Sequence, residues 1–541
     1  MTESSEPHFP TETTNLAEAT APASIRLRDG DHLDLEITPV RKRIRDAEVR
    51  MLAYNGSIPG PVLLVGQGSE IEVTAVNRGD VETTVHWHGL RLDNASDGVP
   101  GDTQPPIGIG EEFTCRVRFP DPGIYWYHPH VREDFAQEMG LYGTIVVAPA
   151  DETYWAPADR ELTLTLDDVL IEDGRIAGFR RSGPTHTAMG RYGNVMLING
   201  ETDFAAEVGA GEVLRLHLVN TANTRIFNVG IDGARMKLVG GDSGRVEREE
   251  LVEAVLLSPS ERATVDVLFE RAGEARLEHR PPDRAHALGA FMVSGPRAKT
   301  AAAEAFGKLR VDPELEAIRG AIEAEVEREP DKTLSIASEM PILYGGDPGG
   351  ASTYICPMHP EVVASQPETC PKCGMKLVPE EQVQASADEH PHGGDHGEHA
   401  HGHHDNGDGL EWEDLMPEIN RRTDPTNMHW KLVDEASGSQ NDEISWSLRV
   451  GDRVKIRLAN GMDQDHPMHH PFHIHGAGRF LILARDGEVE SNLVWKDTVL
   501  VRAGETVDIL LEVTNPGRWM AHCHIAEHTE SGMMFTFEVA P

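Results

Sequence analysis

The chain has 541 residues, the length of roughly three or four domains, and its 39 % hydrophobic residues supply cores for them. A formal net charge of −41 excludes nucleic acid as a partner, because the surface repels phosphates. No run of about 18 apolar residues is present to span a bilayer. The opening stretch, MTESSEPHFPTETTNLAEATAPAS, has no charged-then-apolar signal and no twin-arginine pair, so the expected location is cytoplasmic. A periplasmic or secreted location would need a leader outside this sequence.

Residues 1–24 are polar and are expected to be disordered. From Ile25 onward the pattern is short β-runs separated by turn residues. PVLLVGQGSEIEVTAVNRG reads strand, turn, strand, and EEFTCRVRFPDPGIYWYHPH and YGTIVVAPA continue it. A β-sandwich over 25–150 follows. A second unit, 151–297, repeats the style in LTLTLDDVLI, NVMLING, EVLRLHLVNTAN and ATVDVLFE. The segments GSEIEVTAVN, GEVLRLHLVN and GDRVKIRLAN share a glycine, an acid, a strand and a terminal asparagine. Three copies point to three related sandwiches and an all-β fold class. Residues 298–330, rich in Ala and Glu, predict a helical linker. The third sandwich then covers 331–541, interrupted by an insert at 345–409.

Four short motifs carry the chemistry: HWHG at His86–Gly89, HPH at His128–His130, HPFHIHG at His470–Gly476 and HCHIAEH at His522–His528. Residues i and i+2 of a strand face the same way, so one strand end can offer two imidazoles to a metal cluster. Pairs near both ends of the chain suit a cluster shared between the terminal domains. The second unit lacks such pairs and reads as a spacer. Cys523 stands between two of the histidines. A thiolate with two imidazoles and a weak axial thioether is the blue-copper electron-transfer set. His470, Cys523, His528 and Met533 supply it, at the spacing Cys-x4-His-x4-Met. The five cysteines are odd in number and three are clustered, which argues against a disulfide framework and leaves Cys115 as a lone buried thiol.

With all four motifs in order, residues 40–295 and 410–541 resemble three-domain multicopper oxidases of the laccase type. The resemblance implies cupredoxin-like Greek-key sandwiches and four copper ions. His470, Cys523 and His528 would hold the type 1 copper, with Met533 axial. His86 and His473 would hold the type 2 copper. His88, His128 and His524 would hold one type 3 copper, and His130, His475 and His522 the other. One-electron oxidation of a phenol, an aromatic amine or Cu(I) would then feed reduction of O₂ to water. Asp97, in SDGVPG, matches the family's acidic residue near the trinuclear centre. Many bacterial members carry a glutamate directly after the second type 1 histidine; here Thr529 stands there and Glu530 follows, so Glu530 is the second expected proton-handling residue. His466 and His469, in DQDHPMHHPF, imitate the ligand spacing and are expected to be solvent-exposed or to stand behind the ligands. Met462, Met468 and Met534 are expected to be packing residues rather than a cuprous docking site. Two other classes compete: a copper nitrite reductase, which would lack the full trinuclear set, and a non-enzymatic copper-binding protein.

Inside the insert, YICPMHPEVVASQPETCPKCGMKLVP (module 352–380) resembles the small heavy-metal-binding domain of copper-exporting ATPases and efflux adaptors. Cys356-x2-His359 and Cys370-x2-Cys373 have metal-ligand spacing and suit Zn²⁺ or Cu(I). HPHGGDHGEHAHGHH, residues 390–404, is a His/Gly tract that cannot pack a core and is expected to capture copper loosely.

Overall fold

The computed structural model describes residues 9–345, 353–387 and 408–541; the His/Gly tract at 390–404 lies outside them. Three two-sheet β-sandwiches follow one another along the chain. In the first, strands Ser24–Arg26, Val62–Gly66, Gly143–Ala148, Gly123–His128 and His86–His88 lie side by side in that order. They face a sheet of Ala47–Tyr54, His32–Ile44, Glu70–Asn77 and Glu112–Arg118. Leu35, Val73, Val117, Tyr125 and Ile145 pack between the sheets. The second and third sandwiches each pair a six-stranded with a five-stranded sheet. The all-β class with three cupredoxin-like sandwiches is therefore the observed one. Among the described residues no helix is long and apolar enough to cross a membrane.

The repeated Gly-acid-strand-Asn segment has the same place in every sandwich. Glu70–Asn77, Val213–Asn220 and Arg453–Ala459 run parallel to His32–Ile44, Arg160–Val169 and Lys332–Glu339 respectively. The terminal asparagine ties down the connection that leaves the strand. Asn77 Nδ2 donates to the carbonyls of Val81 (2.9 Å) and Ile107 (2.8 Å). Asn220 does the same to Arg225 and Leu257, and Asn460 to Met468 and Arg502. Buried carbonyls must find a donor, and one carboxamide serves two of them.

Helices Ala301–Phe306 and Pro313–Val326 join the second sandwich to the third. Thr300 and Asp312 cap them by accepting from first-turn N–H groups. The longer helix sets Leu315 and Ile322 against Leu481, Leu483 and Trp495 of the third domain.

The chain is ordered earlier than its composition predicts. Disorder over 1–24 is corrected for residues 9–24: Phe9 stacks on Phe135 at 3.7 Å, and Ala19 and Thr20 donate to the carbonyls of Arg41 and Gly56. One aromatic ring and a few backbone hydrogen bonds outweigh the polar composition. The insert packs onto the third sandwich. Strands Tyr354–Ile355, Val363–Ala364 and Val378–Pro379 form its small sheet. Its Tyr354, Met358, Met375 and Leu377 belong to the same continuous core as Trp430, Cys523 and Met533.

Candidate metal centre

Two strand pairs carry the eight paired histidines. His86–His88 runs antiparallel to Gly123–His128, with His86 opposite His128. His470–Ile474 runs antiparallel to Gly517–Cys523, with His473 opposite His522 and Phe472 opposite Cys523. The first pair is the edge of domain one; the second lies within domain three. Their ends meet, and all eight imidazoles are buried. Three sets bring their ligand atoms within 4.8 Å of one another: His86, His88 and His473; His86, His130 and His475; His88, His128 and His524. His522 Nε2 joins them 3.1 Å from His475 Nε2.

Most of these rings have one nitrogen fixed and the other orphaned. His86 Nδ1 lies 2.7 Å from the Asp97 carbonyl, His473 Nδ1 2.8 Å from the Asp497 carbonyl, and His522 Nδ1 2.8 Å from the Cys523 carbonyl. His475 Nδ1 lies 2.8 Å from Asp97 Oδ2, and His88 Nε2 3.0 Å from Asp497 Oδ1. The remaining nitrogens of His86, His88, His128, His130 and His473, and both of His524, are buried without a partner. A buried polar atom without a partner is costly. A bound metal ion removes that cost, and where an acceptor stands behind a ring it fixes the tautomer. Burial lowers the pKa of His88, His128, His130, His473 and His522 well below the ordinary value, with neighbouring imidazoles adding to the effect. The rings are therefore neutral, as ligands must be. The residues fit a cluster of copper ions.

Gly89, which closes HWHG, is required by the same packing. Its φ is +82°, and a Cβ there would lie 2.5 Å from Asp497 Oδ2 and 2.7 Å from Arg262 Nη2.

The second group forms around Cys523. His470 Nδ1 lies 3.5 Å and His528 Nδ1 3.7 Å from its Sγ. The strand ends at Cys523, and helix Ala526–Glu530 turns His528 back over the thiol. Met533 is fully buried in the same core, and its carbonyl accepts from the Cys523 N–H at 3.2 Å. Trp430 covers both rings, 4.6 Å from His470 and 4.5 Å from His528 between centroids. Burial pushes the Cys523 thiol up in the metal-free chain, so metal must displace its proton.

The two carboxylates singled out in the sequence are placed differently. Asp97 is buried and touches His475 (2.8 Å) and His86 (3.4 Å). Burial alone would raise its pKa, but the two imidazoles outweigh this and lower it. Glu530 accepts from the Glu133 backbone N–H at 2.8 Å. It is Glu133, absent from the sequence reading, whose Oε1 lies 3.2 Å from His128 Nδ1 and 3.4 Å from His130 Nδ1. Burial first, then Asp134, raises Glu530 to about 7; burial and Glu530 raise Glu133 well above the ordinary carboxylate value. Thr529 donates to the Cys523 carbonyl and lies 3.2 Å from His522 Nδ1.

His466 and His469 are not solvent-exposed. Both are wholly buried, because the insert and the chain after it close over them. His466 Nδ1 lies 3.3 Å from Met375 Sδ of the insert, and His469 Nδ1 lies 2.6 Å from Glu411 Oε2. Cys115 sits half-buried on strand Glu112–Arg118 against the first core. In the insert, Cys356 Sγ lies 3.5 Å from Cys373 Sγ and 3.8 Å from His359 Nδ1, and Cys370 Sγ lies 3.7 Å from the same nitrogen. These four ligand atoms also fall within 4.8 Å of one another.

Comparison with known proteins agrees with this geometry. Multicopper oxidase family models match residues 36–152, 163–274 and 414–541, well over half the chain, and a heavy metal binding domain model matches 353–380. A multicopper oxidase of Staphylococcus aureus is 22% identical over 90% of this chain and 83% of its own length. Copper resistance protein A of Escherichia coli is 24% identical over 93% of this chain and 92% of its own. The solved structure of a Campylobacter jejuni multicopper oxidase, described as a metallo-oxidase, superposes with a TM-score of 0.65. It is 21% identical, over 98% of this chain and 99% of its own. The strand-end histidines, the buried thiol and the three matched domains place this chain among the multicopper oxidases.

Proposed function

We propose that this oxidase couples four one-electron oxidations of a donor to the reduction of one O₂ to two waters. The observation that carries the reading is the orphaning of buried imidazole nitrogens in two groups joined through Cys523. His470, Cys523 and His528, with Met533 beside them, would hold a type 1 copper; His86 and His473 a type 2 copper. His88, His128 and His524, with His130, His475 and His522, would hold the type 3 pair. When bound, the coppers supply electron acceptance and O₂ chemistry. The chain supplies the route between the two groups: His522 and His524 are peptide-bonded to Cys523. It also supplies proton handling, by Asp97 on one side and by the Glu530–Glu133 pair on the other.

The test is copper content together with the ratio of donor oxidised to O₂ consumed. Four coppers and four electrons per O₂ are expected; nitrite reduction without O₂ uptake would move the chain to the nitrite reductase class. Asp97→Asn is expected to slow O₂ reduction by about 10- to 100-fold, the usual effect of removing a group that orients metal ligands. Reduction of the type 1 site should stay fast, so the blue colour bleaches during turnover. A variant that stays blue while turning over slowly would place Asp97 outside the O₂ half-reaction.

A further inference from the structure

We propose that the cavity between the insert and the third sandwich is a transfer chamber for the cuprous ion. There the ion passes from the insert's thiols to a site beside the type 1 ligands and gives up its electron. This rests on the oxidase reading above and names its donor.

The first support is what closes the type 1 edge. The Nε2 atoms of His470 and His528 are buried and unpartnered. Trp430 lies over both rings, and Met375 of the insert reaches His466, itself 5.7 Å from the Trp430 ring. An aromatic donor has no face of either ligand to stack on. Electrons must enter through the surrounding residues.

The second support is the cavity itself, about 250 Å³. The insert contributes Met358, His359 and Cys373 to its wall; the body contributes Glu411 and Met462. Met462 rests on the Cys-x2-Cys knuckle: a Cβ at Gly374 would meet its Cε at 2.4 Å. Met462 is nonetheless 43% exposed, so it is not a core residue. Of the three methionines read as packing, Met468 is buried and Met462 and Met534 are exposed, and of these Met462 lines this cavity.

The third support is the link to the redox centre. Glu411 Oε2 accepts from the His469 N–H (3.1 Å) and lies 2.6 Å from His469 Nδ1. His469 is peptide-bonded to His470, so one hydrogen bond separates the cavity wall from the copper-bearing strand.

The ligand chemistry runs in one direction. Thiolate and thioether favour Cu(I), and a carboxylate favours the oxidised, harder ion. A cuprous ion received from Cys373 and Met358 passes toward Met462 and Glu411. It would give one electron to the copper that His470, Cys523 and His528 would hold, and leave as Cu²⁺. Four cuprous ions, one O₂ and four protons give four cupric ions and two waters.

The experiment uses the full-length, copper-loaded enzyme. Cu(I) in a weak acetonitrile complex is the donor, and O₂ uptake is measured. Met358→Leu/Met462→Leu and, separately, Glu411→Gln are expected to lower kcat/KM for Cu(I) by about 10- to 100-fold, with type 1 absorption and EPR signals retained. Competition against a chromophoric cuprous chelator reads binding without turnover: the double variant should lose the weaker of the wild-type binding steps. Unchanged kcat/KM in both variants would overturn the chamber and leave the oxidase reading intact. Wild-type enzyme that consumes O₂ with an aromatic amine but not with Cu(I) would overturn the donor. Failure to consume O₂ with either would instead overturn the oxidase reading beneath both.

Discussion

Cys523→Ser is expected to bring donor oxidation down to the uncatalysed background. Enzymes usually accelerate reactions by ~10⁶-fold or more, so a fall of about a thousandfold or greater is the expected scale. The reason is local. Cys523 is the one thiol in its group, and its two peptide neighbours are His522 and His524. Serine keeps the chain path but not the soft donor that defines a blue-copper site. The blue absorption and its EPR signature should vanish, and copper content should fall by one ion. The histidine cluster should keep its own, because His86, His88, His473 and His475 are held by Asp97, Asp497 and backbone carbonyls rather than by the thiol. Retained oxidation would show that Cys523 is not the point of electron entry. Loading should depend on pH in a stated direction. Burial holds the metal-free thiol protonated, and binding must release that proton, so uptake at this site tightens as pH rises.

What the sequence made legible was what is local. An H-x-H pair on a strand end has its geometry fixed by the period of two, and Cys-x4-His by one turn of helix. The contacts that reach between domains were not legible. Glu133 touches His128 and His130 close by in sequence, but its partner Glu530 is 397 residues away. Glu133 follows an arginine in a polar stretch, VREDF, with nothing to distinguish it from a surface residue. Asp497 left a faint signal: LVWKDTVLV sets a lysine and an aspartate inside an apolar run. Charges there must be paired, but the run cannot say with what. For His466 and His469 the sequence left exposure and a place behind the ligands both open, for the same reason. Their burial comes from Met375 of the insert and from Glu411, both far from them in sequence. Phe9 shows the limit of composition, since one ring in a polar segment orders the residues around it.

Asp497→Ala is the substitution expected to do most damage to the assembly of the three domains. Asp497 lies on domain three, beside strand Thr498–Val501. Its Oδ1 lies 3.0 Å from His88 Nε2 of domain one and accepts from Arg262 Nη1 of domain two at 2.7 Å. Its Oδ2 accepts from Arg262 Nη2 at 2.5 Å, and its carbonyl lies 2.8 Å from His473 Nδ1. Arg262 is wholly buried and also donates to the carbonyls of Ile124 and Ser260. Removing the carboxylate leaves a buried guanidinium short of its bidentate partner. Breaking such a pair from one side costs about 3–5 kcal/mol. Asp242 stays 3.8 Å from Arg262 and offsets part of this. His88 loses the acceptor that orients it, so metal affinity at the histidine cluster should fall by about 10- to 100-fold. Asp497→Asn keeps the shape and one acceptor oxygen, and should cost less on both counts. Adding Arg262→Met to Asp497→Ala should recover stability, because no buried charge is left alone, but not the metal affinity, because His88 remains unsupported. Denaturant midpoints and copper retention on dialysis read the two effects separately. Loss of stability without loss of copper would make Asp497 a domain staple alone; loss of both, with only stability restored in the double variant, makes it the residue through which domain assembly and metal binding are one event.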